Sequence, residues 1–235
     1  MSSEPLLRLD AIGKRFGGLT VLNDVSFAVV AGEIVGLVGP NGSGKTTTIN
    51  VISGVHRADV GRVLLDGMPV QALSSFRLAR RGINRTFQVP KPFHTMTVRE
   101  NIEVAAHFCR HDQVDIDAIL AETNLTLHEA TMAGALTVNQ QKMLDLARAL
   151  ATKPKLLLID EIGAGLNPQE LAVIATLLSR LAARGIAMIV VEHLLDFLNR
   201  ITERVIVLGA GRMLFEGSLR AASEDPEVVA AFIGG

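Results

Sequence analysis

The chain contains no tryptophan and no tyrosine, so nine phenylalanines supply its whole aromatic content, 4% of 235 residues. Proteins that hold single-stranded nucleic acid stack its bases on rings, and a sequence this poor in rings is not built as such a platform. There is one cysteine, Cys109, which excludes an internal disulfide and every metal cage made of several thiolates. With no nucleophile constellation around it, Cys109 reads as a small apolar residue. An excess of charge of one sign is missing too. Lys plus Arg number 23 and Asp plus Glu 24, and the resulting −1 rules out a globally basic nucleic-acid coat or an acidic tail. Apolar runs such as residues 186–191 fall far short of the roughly 20 residues of a membrane span. Met1 to Asp10 carries Glu4 and Arg8 and no long apolar stretch, so no secretion signal is expected and the expectation is a soluble, cytosolic chain.

Aliphatic side chains are what is plentiful: 49% of residues are hydrophobic and the mean hydropathy is +0.35. That supports a large core, with apolar surface left over for a partner. The length suits one domain with an embedded lobe. Short apolar runs alternate with helical patterns, which predicts an α/β domain with a largely parallel sheet. Residues 34–38 read as a strand ending at Gly39, and a helix follows over 45–53 with Gly54 as its stop. Residues 155–159 and 186–191 read as buried parallel strands, and 205–208 with 213–215 as a hairpin around Gly209 and Gly211. The runs 6–12 and 25–30 suit an antiparallel layer. Thr97 with Glu100 forms a capping box before a helix, and Asn167, Pro168 and Glu170 open another, carrying Leu171, Ile174, Leu178 and Leu181 on one face and stopping at Gly185. Residues 89–151 contain no strong strand and read as a helical insertion. There is no internal repeat.

The strongest motif is GPNGSGKT, running from Gly39 through Pro40, Asn41, Gly42, Ser43, Gly44 and Lys45 to Thr46, with Thr47 next. It matches G-x-x-x-x-G-K-[ST] between a strand and a helix, the context the motif requires. Its glycines let the backbone wrap and aim N–H groups at phosphate oxygens. Lys45 supplies a cation between the outer phosphates, the Thr46 hydroxyl can ligate Mg²⁺, and the helix N-terminus adds its positive end. Further on, LLLIDE places Asp160 at the end of a buried strand, where a carboxylate can hold Mg²⁺ through water. Glu161 follows and can polarise an attacking water. Gln88, in Arg85-Thr86-Phe87-Gln88, and His193, just after the strand at 186–191, sit where a γ-phosphate sensor is useful.

Phosphate loop, Gln88, LLLIDE and His193, in this order and spacing, resemble the ATP-binding subunit of an ABC transporter, and the resemblance covers essentially the whole chain. It implies a P-loop NTPase (RecA-like) core with an antiparallel β layer and an inserted α-helical subdomain: 1–88 and 152–217 as core, 89–151 as helical subdomain, 218–235 as helical tail. It implies that Glu161 is the catalytic base, His193 the switch histidine and Gln88 the sensor glutamine, with Thr46, Gln88 and Asp160 at the metal. Phe16, in Lys14-Arg15-Phe16-Gly17, matches the aromatic that stacks on adenine; its alternative is a core residue. FGGLTVLNDVSF, RTFQVPKPF with TVRENI, and GAGLNPQE followed by VVEHLLDFL are similar to branched-chain amino acid transport subunits, a group that includes urea and amide systems. For that group the segment between Asn101 and Leu136 is short.

One motif departs from the pattern. The family's signature, usually L-S-G-G-Q, is here Leu136-Thr137-Val138-Asn139-Gln140. In the family it contacts the γ-phosphate held by the opposite subunit. Thr137 keeps a hydroxyl and Gln140 starts the following helix, while Asn139 replaces the glycine nearest the phosphate. The implied partners are membrane permease subunits, a second ATP-binding subunit (a copy or a relative) and, indirectly, a solute-binding protein, with no nucleic acid; the implied place is the cytoplasmic face of the membrane. The implied ligands are ATP and Mg²⁺. An alternative is a regulatory, slow-hydrolysing subunit, because of Asn139. A nucleic-acid ABC ATPase lacks support, since the insertion has no sustained heptads. A P-loop kinase shares Gly39 to Thr46 but has no use for Gln88, the Asp160–Glu161 pair and His193 together.

Overall fold

The computed structural model describes residues 4–86, 90–108 and 114–233. In chain order the elements are β1 (Leu7–Phe16), β2 (Leu19–Val29), β3 (Ile34–Val38), α1 (Lys45–Ile52), β4 (Val60–Leu65), β5 (Met68–Pro69), α2 (Ser75–Ala79), β6 (Ile83–Arg85), α3 (Val98–Phe108), α4 (Ile116–Glu122), α5 (Val138–Ala151), β7 (Leu156–Asp160), α6 (Pro168–Ala183), β8 (Ala187–Val191), α7 (Leu195–Ile201), β9 (Arg204–Gly209), β10 (Arg212–Gly217), α8 (Leu219–Glu224) and α9 (Pro226–Ile233). A six-stranded sheet has the order β10-β9-β3-β8-β7-β6, parallel except for the β9–β10 hairpin. A four-stranded antiparallel sheet has the order β2-β1-β4-β5.

The period of two along a strand decides which layer each side chain joins. In β8, Ala187, Ile189 and Val191 pack with Leu7, Leu9 and Ile12 of β1 and Ile49 and Ile52 of α1. Met188 and Val190 face the other way, onto Ile174, Leu178 and Leu181 of α6 and Phe197 of α7. β7 divides likewise, Leu156 and Leu158 against Leu157 and Ile159. Burial on both faces is why these strands read as unbroken apolar runs. At about 1.5–3 kcal/mol for each fully buried large aliphatic, the two layers hold the sheet firmly between α1 and α6. Helices α3, α4 and α5 have a separate core of Val98, Ile102, Leu120, Leu125, Leu144 and Ala147.

The caps form as read. Thr97 N donates to Glu100 Oε2 at 2.7 Å and Glu100 N to Thr97 Oγ1 at 3.2 Å. Asn167 Oδ1 accepts from the N–H groups of Gln169 and Glu170 at 2.9 and 3.0 Å. Other expectations need correction. β7 lies one residue later than the expected 155–159, so Asp160 is itself the last strand residue, and β8 starts at Ala187. Strands β4, β5 and β6 escaped the sequence reading: β4 is interrupted by Gly61 and Arg62, and β6 is the three-residue, half-polar Ile-Asn-Arg. The reading of no strong strand in the insertion does hold: among the described residues between β6 and β7 there is an isolated bridge, Thr97 with Met132, and no strand. Helix α5 begins at Val138 rather than at Gln140, because Thr137 and Gln140 form a capping box of their own. Asn139 therefore lies in the first helical turn.

Candidate active site

The ladder pairs Leu37 with Val191 and Val191 with Asp160, so β3, β8 and β7 end side by side. Whatever follows each strand meets at one sheet edge, where open α/β folds bind ligands. These are the loop 39–44, Glu192 with His193, and Glu161.

The loop's turns need glycine. Gly39 and Gly44 have φ of +151° and +106°, and an added Cβ would lie 2.2 Å from the Leu208 carbonyl oxygen or 2.6 Å from Leu22 Cδ2. The loop walls a cleft of about 170 Å³ with Val21, Glu161, Val191 and His193. Ser43 Oγ is buried and has no hydrogen-bond partner among the described residues, whereas Thr46 is exposed. Lys45 is buried, and its Nζ donates to the carbonyls of Gly39 at 2.7 Å and Pro40 at 3.0 Å. A desolvated ammonium must find acceptors, so without phosphate it rests on the loop it would otherwise serve. Burial pushes its pKa down, against the pull of Glu161 and Asp160.

Asp160 is buried, and burial raises its pKa; the Arg85 guanidinium, 3.4 Å away, opposes that most strongly. Glu161 has φ +50°, a conformation that costs a non-glycine residue about 1–3 kcal/mol. Its backbone is held there by its N–H on the Val191 carbonyl at 2.9 Å. Its Oε1 lies 3.3 Å from Nε2 of the half-exposed His193. The carboxylate and the imidazole thus stand together at the mouth of the phosphate loop. An orphaned hydroxyl, a cradle with no room for a Cβ at Gly39 or Gly44, a lysine and a helix N-terminus together fit a polyphosphate. Among the described residues no group of three or more His, Cys, Asp or Glu could hold a metal by itself. Thr46 and Asp160 are hard oxygen donors that suit Mg²⁺ completed by phosphate and water.

Phe16 is 43% exposed at the end of β1, which excludes the core alternative; the His56 ring meets it edge-on at 5.1 Å and Lys14 Nζ lies 5.2 Å from its centroid. Thr137, Asn139 and Gln140 open α5, away from the chain's own phosphate loop cleft. Asn139 Nδ2 donates to Glu170 Oε1 at 2.6 Å. Gln88 and Cys109 lie outside the described residues. Phe93 is exposed under the Arg148 guanidinium, 5.1 Å from the ring, while Met96 is half-buried. A groove of about 380 Å³ runs there between Phe93, Phe108, Arg148 and Arg85.

Sequence reasoning missed four polar residues that organise this region. Arg85 joins Asn50 of α1, at 2.7 Å, to Asp160. Glu192 is buried, its pKa raised by that burial, and its Oε1 accepts from Gly163 N at 2.6 Å. Lys142 is buried and donates to the carbonyls of Glu161, Ile162 and Ala164 at 3.4, 3.1 and 2.6 Å. Asn101, fully buried, accepts from Phe93 N and donates to the carbonyls of Phe93 and Thr97, which sets the 93–97 loop. Asn101, between Val98 and Ile102, and Lys142, beside Leu144 and Leu146, are polar residues on apolar helix faces. That was the available signal.

Fold and site define a P-loop nucleotide hydrolase with a helical insertion between its strands. Comparison with known proteins narrows this. The family model described as ABC transporter matches residues 22–164. The chain is 32% identical to the high-affinity branched-chain amino acid transport ATP-binding protein BraF of Pseudomonas aeruginosa, over 99% of both chains. Its structure is similar to the ADP conformation of MJ1267, an ATP-binding cassette of an ABC transporter, with TM-score 0.89, 32% identity and 99% and 100% of the two chains covered. It is also similar to a dimeric post-hydrolysis structure of the cassette MJ0796 bound to ADP and Pi, with TM-score 0.81, 26% identity and 91% and 99% covered. The chain belongs to the ABC transporter ATP-binding family, and it is an ATPase. Among the described residues no helix is long and apolar enough to cross a membrane.

Proposed function

We propose that this chain is the ATP-hydrolysing subunit of an importer for branched-chain amino acids or related small polar solutes. The observation that carries the reading is the Glu161–His193 pair, 3.3 Å apart beside a phosphate loop whose Ser43 hydroxyl lacks a partner among the described residues. ATP lies with its phosphates along the backbone N–H groups of residues 39–46 and its adenine on Phe16. Lys45 leaves the Gly39 and Pro40 carbonyls for the outer phosphates, a charge-assisted exchange of acceptors. Glu161 takes the proton of the attacking water, whose oxygen then bonds to the γ-phosphorus as the bond to the ADP oxygen breaks. His193 steadies Glu161 and the γ-phosphate, and Gln88 has the role of γ-phosphate sensor that the family resemblance implies. Thr46, and Asp160 through water, would hold Mg²⁺, with Gln88 as the further ligand the resemblance implies, and the ion would supply charge neutralisation at the phosphates.

Two copies, or one copy and a related subunit, face head to tail and enclose two ATP molecules, each between one chain's phosphate loop and the other's Thr137, Asn139 and Gln140. Residues 89–151 act as the moving helical lobe. The groove at Phe93 and Arg148 receives the permease subunits, which bring the protein to the cytoplasmic face of the membrane and, through them, to a solute-binding protein. The test is reconstitution in vesicles with permease subunits and binding protein from the same gene cluster. ATP-dependent uptake of leucine, isoleucine or valine is expected. Uptake of urea or an amide alone would reassign the solute, and no uptake of any of these despite ATP turnover would overturn the importer reading.

A further inference from the structure

The sequence anomaly at Asn139 has a structural counterpart within the same chain. Asn139 is the second residue of α5, and its Nδ2 donates to Glu170 Oε1 at 2.6 Å. The other oxygen of that carboxylate, Oε2, accepts the N–H of Asn167 at 2.8 Å, closing the capping box of α6. Glu170 thus joins the first turns of two helices, and both of its oxygens are engaged. One turn further along α5, Lys142 grips the other end of the same connection through the carbonyls of Glu161, Ile162 and Ala164. The i and i+3 residues of one helix face therefore hold both ends of the segment 161–170. Asn139 Oδ1 is buried with no hydrogen-bond partner among the described residues, which marks how far the amide is turned inward to Glu170. A glycine at 139 has no side chain with which to make this bond.

We propose that Asn139 is a positioning residue: through Glu170 it fastens the start of α5 to the segment 161–170, so the loop offered to a partner's nucleotide and the chain's own Glu161 move as one unit. The bond itself is internal to the chain; its effect on paired nucleotide sites rests on the head-to-tail arrangement proposed above. The side chain that replaces the signature glycine is thus a gain in coupling between the two sites. Its direction is also specified, since the amide donates and the carboxylate accepts.

That direction permits a swap. Asn139→Asp sets two carboxylates against each other. Adding Glu170→Gln restores the bond with donor and acceptor exchanged, while the amide oxygen introduced by Glu170→Gln still accepts from the N–H of Asn167. Hydrogen exchange in the isolated chain reads the tether directly: amides at 163–167 should exchange about tenfold faster in Asn139→Asp and in Asn139→Ala, and return to the starting rate in the swap. ATP-driven association, measured by sedimentation in a Glu161→Gln background, reads the coupling. Asn139→Asp should need about tenfold more ATP for half-association and the swap should need the original amount, with the thermal midpoint of the nucleotide-free chain as the check on folding. Unchanged exchange in Asn139→Asp, or a swap that fails to restore it in a folded chain, overturns the tether. Restored exchange with association indifferent to all three variants overturns the coupling. If the parent itself does not associate with ATP, the paired arrangement falls, and the exchange result still decides the tether.

Discussion

Gly39 and Gly42 both have positive φ, +151° and +78°, yet alanine should affect them very differently. At Gly42 nothing lies within 4 Å of an added Cβ, so the cost is backbone strain alone, about 1 kcal/mol. At Gly39 the Cβ would stand 2.2 Å from the Leu208 carbonyl oxygen and 2.7 Å from Ser43 Oγ. The first of these belongs to the backbone of β9, a neighbour of β3 in the sheet, and cannot swing aside. Strain of about 1–3 kcal/mol adds to overpacking of about 1–3 kcal/mol, giving roughly 4 kcal/mol for Gly39→Ala. That is a large share of the roughly 5–15 kcal/mol that keeps a domain folded. At about 2 kcal/mol per molar urea, the midpoint should fall by about 2 M for Gly39→Ala and about 0.5 M for Gly42→Ala. Without tryptophan or tyrosine the chain offers no useful intrinsic fluorescence, so far-UV circular dichroism is the probe. Equal losses, or a larger loss at Gly42, would show that the contact with β9 does not shape the phosphate loop.

Phe16→Ala should weaken ATP binding about tenfold, taking stacking at about 1–3 kcal/mol per base, and leave binding of inorganic triphosphate unchanged in calorimetry. Equal weakening of both ligands would contradict an adenine platform. Asp59 accepts from Arg15 N at 2.6 Å and from Lys14 Nζ at 2.9 Å, and these bonds, that of the Arg15 N–H first, hold its carboxyl below the ordinary value of 3.8. A depressed acid stabilises the native state above its unfolded pKa and loses that contribution as pH falls through its folded one. Asp59→Asn should therefore be less stable than the parent at neutral pH, with the two denaturation midpoints converging as the solution is acidified below the carboxylate range.

The parts legible in sequence are those whose physics is local. Residues 34–38 and the helix after Gly44 announce themselves by an apolar run and a glycine loop, and Asn167 with Pro168 and Glu170 caps a helix through bonds that span three residues. Strand β6 was hidden because Ile83, Asn84 and Arg85 carry no alternation to read; only pairing with β7 makes them a strand. The roles of Arg85, Lys142 and Glu192 depend on partners 20 to 75 positions away, at Asp160, Ile162 and Gly163. Asn139 was legible as a departure from a motif, while its bond to Glu170, 31 positions on, required the fold.

The central claim is that Glu161 is the base of an ATPase whose nucleotide closes two subunits together. A single-turnover hydrolysis measurement on Glu161→Gln, with sedimentation of the same sample in ATP and Mg²⁺, tests it most directly. The amide cannot take the proton, so ATP should stay bound and uncleaved, with hydrolysis reduced by about 10²–10⁴-fold and the paired species accumulating. Hydrolysis at the parent's rate, with the protein remaining single, would contradict both the base and the pairing.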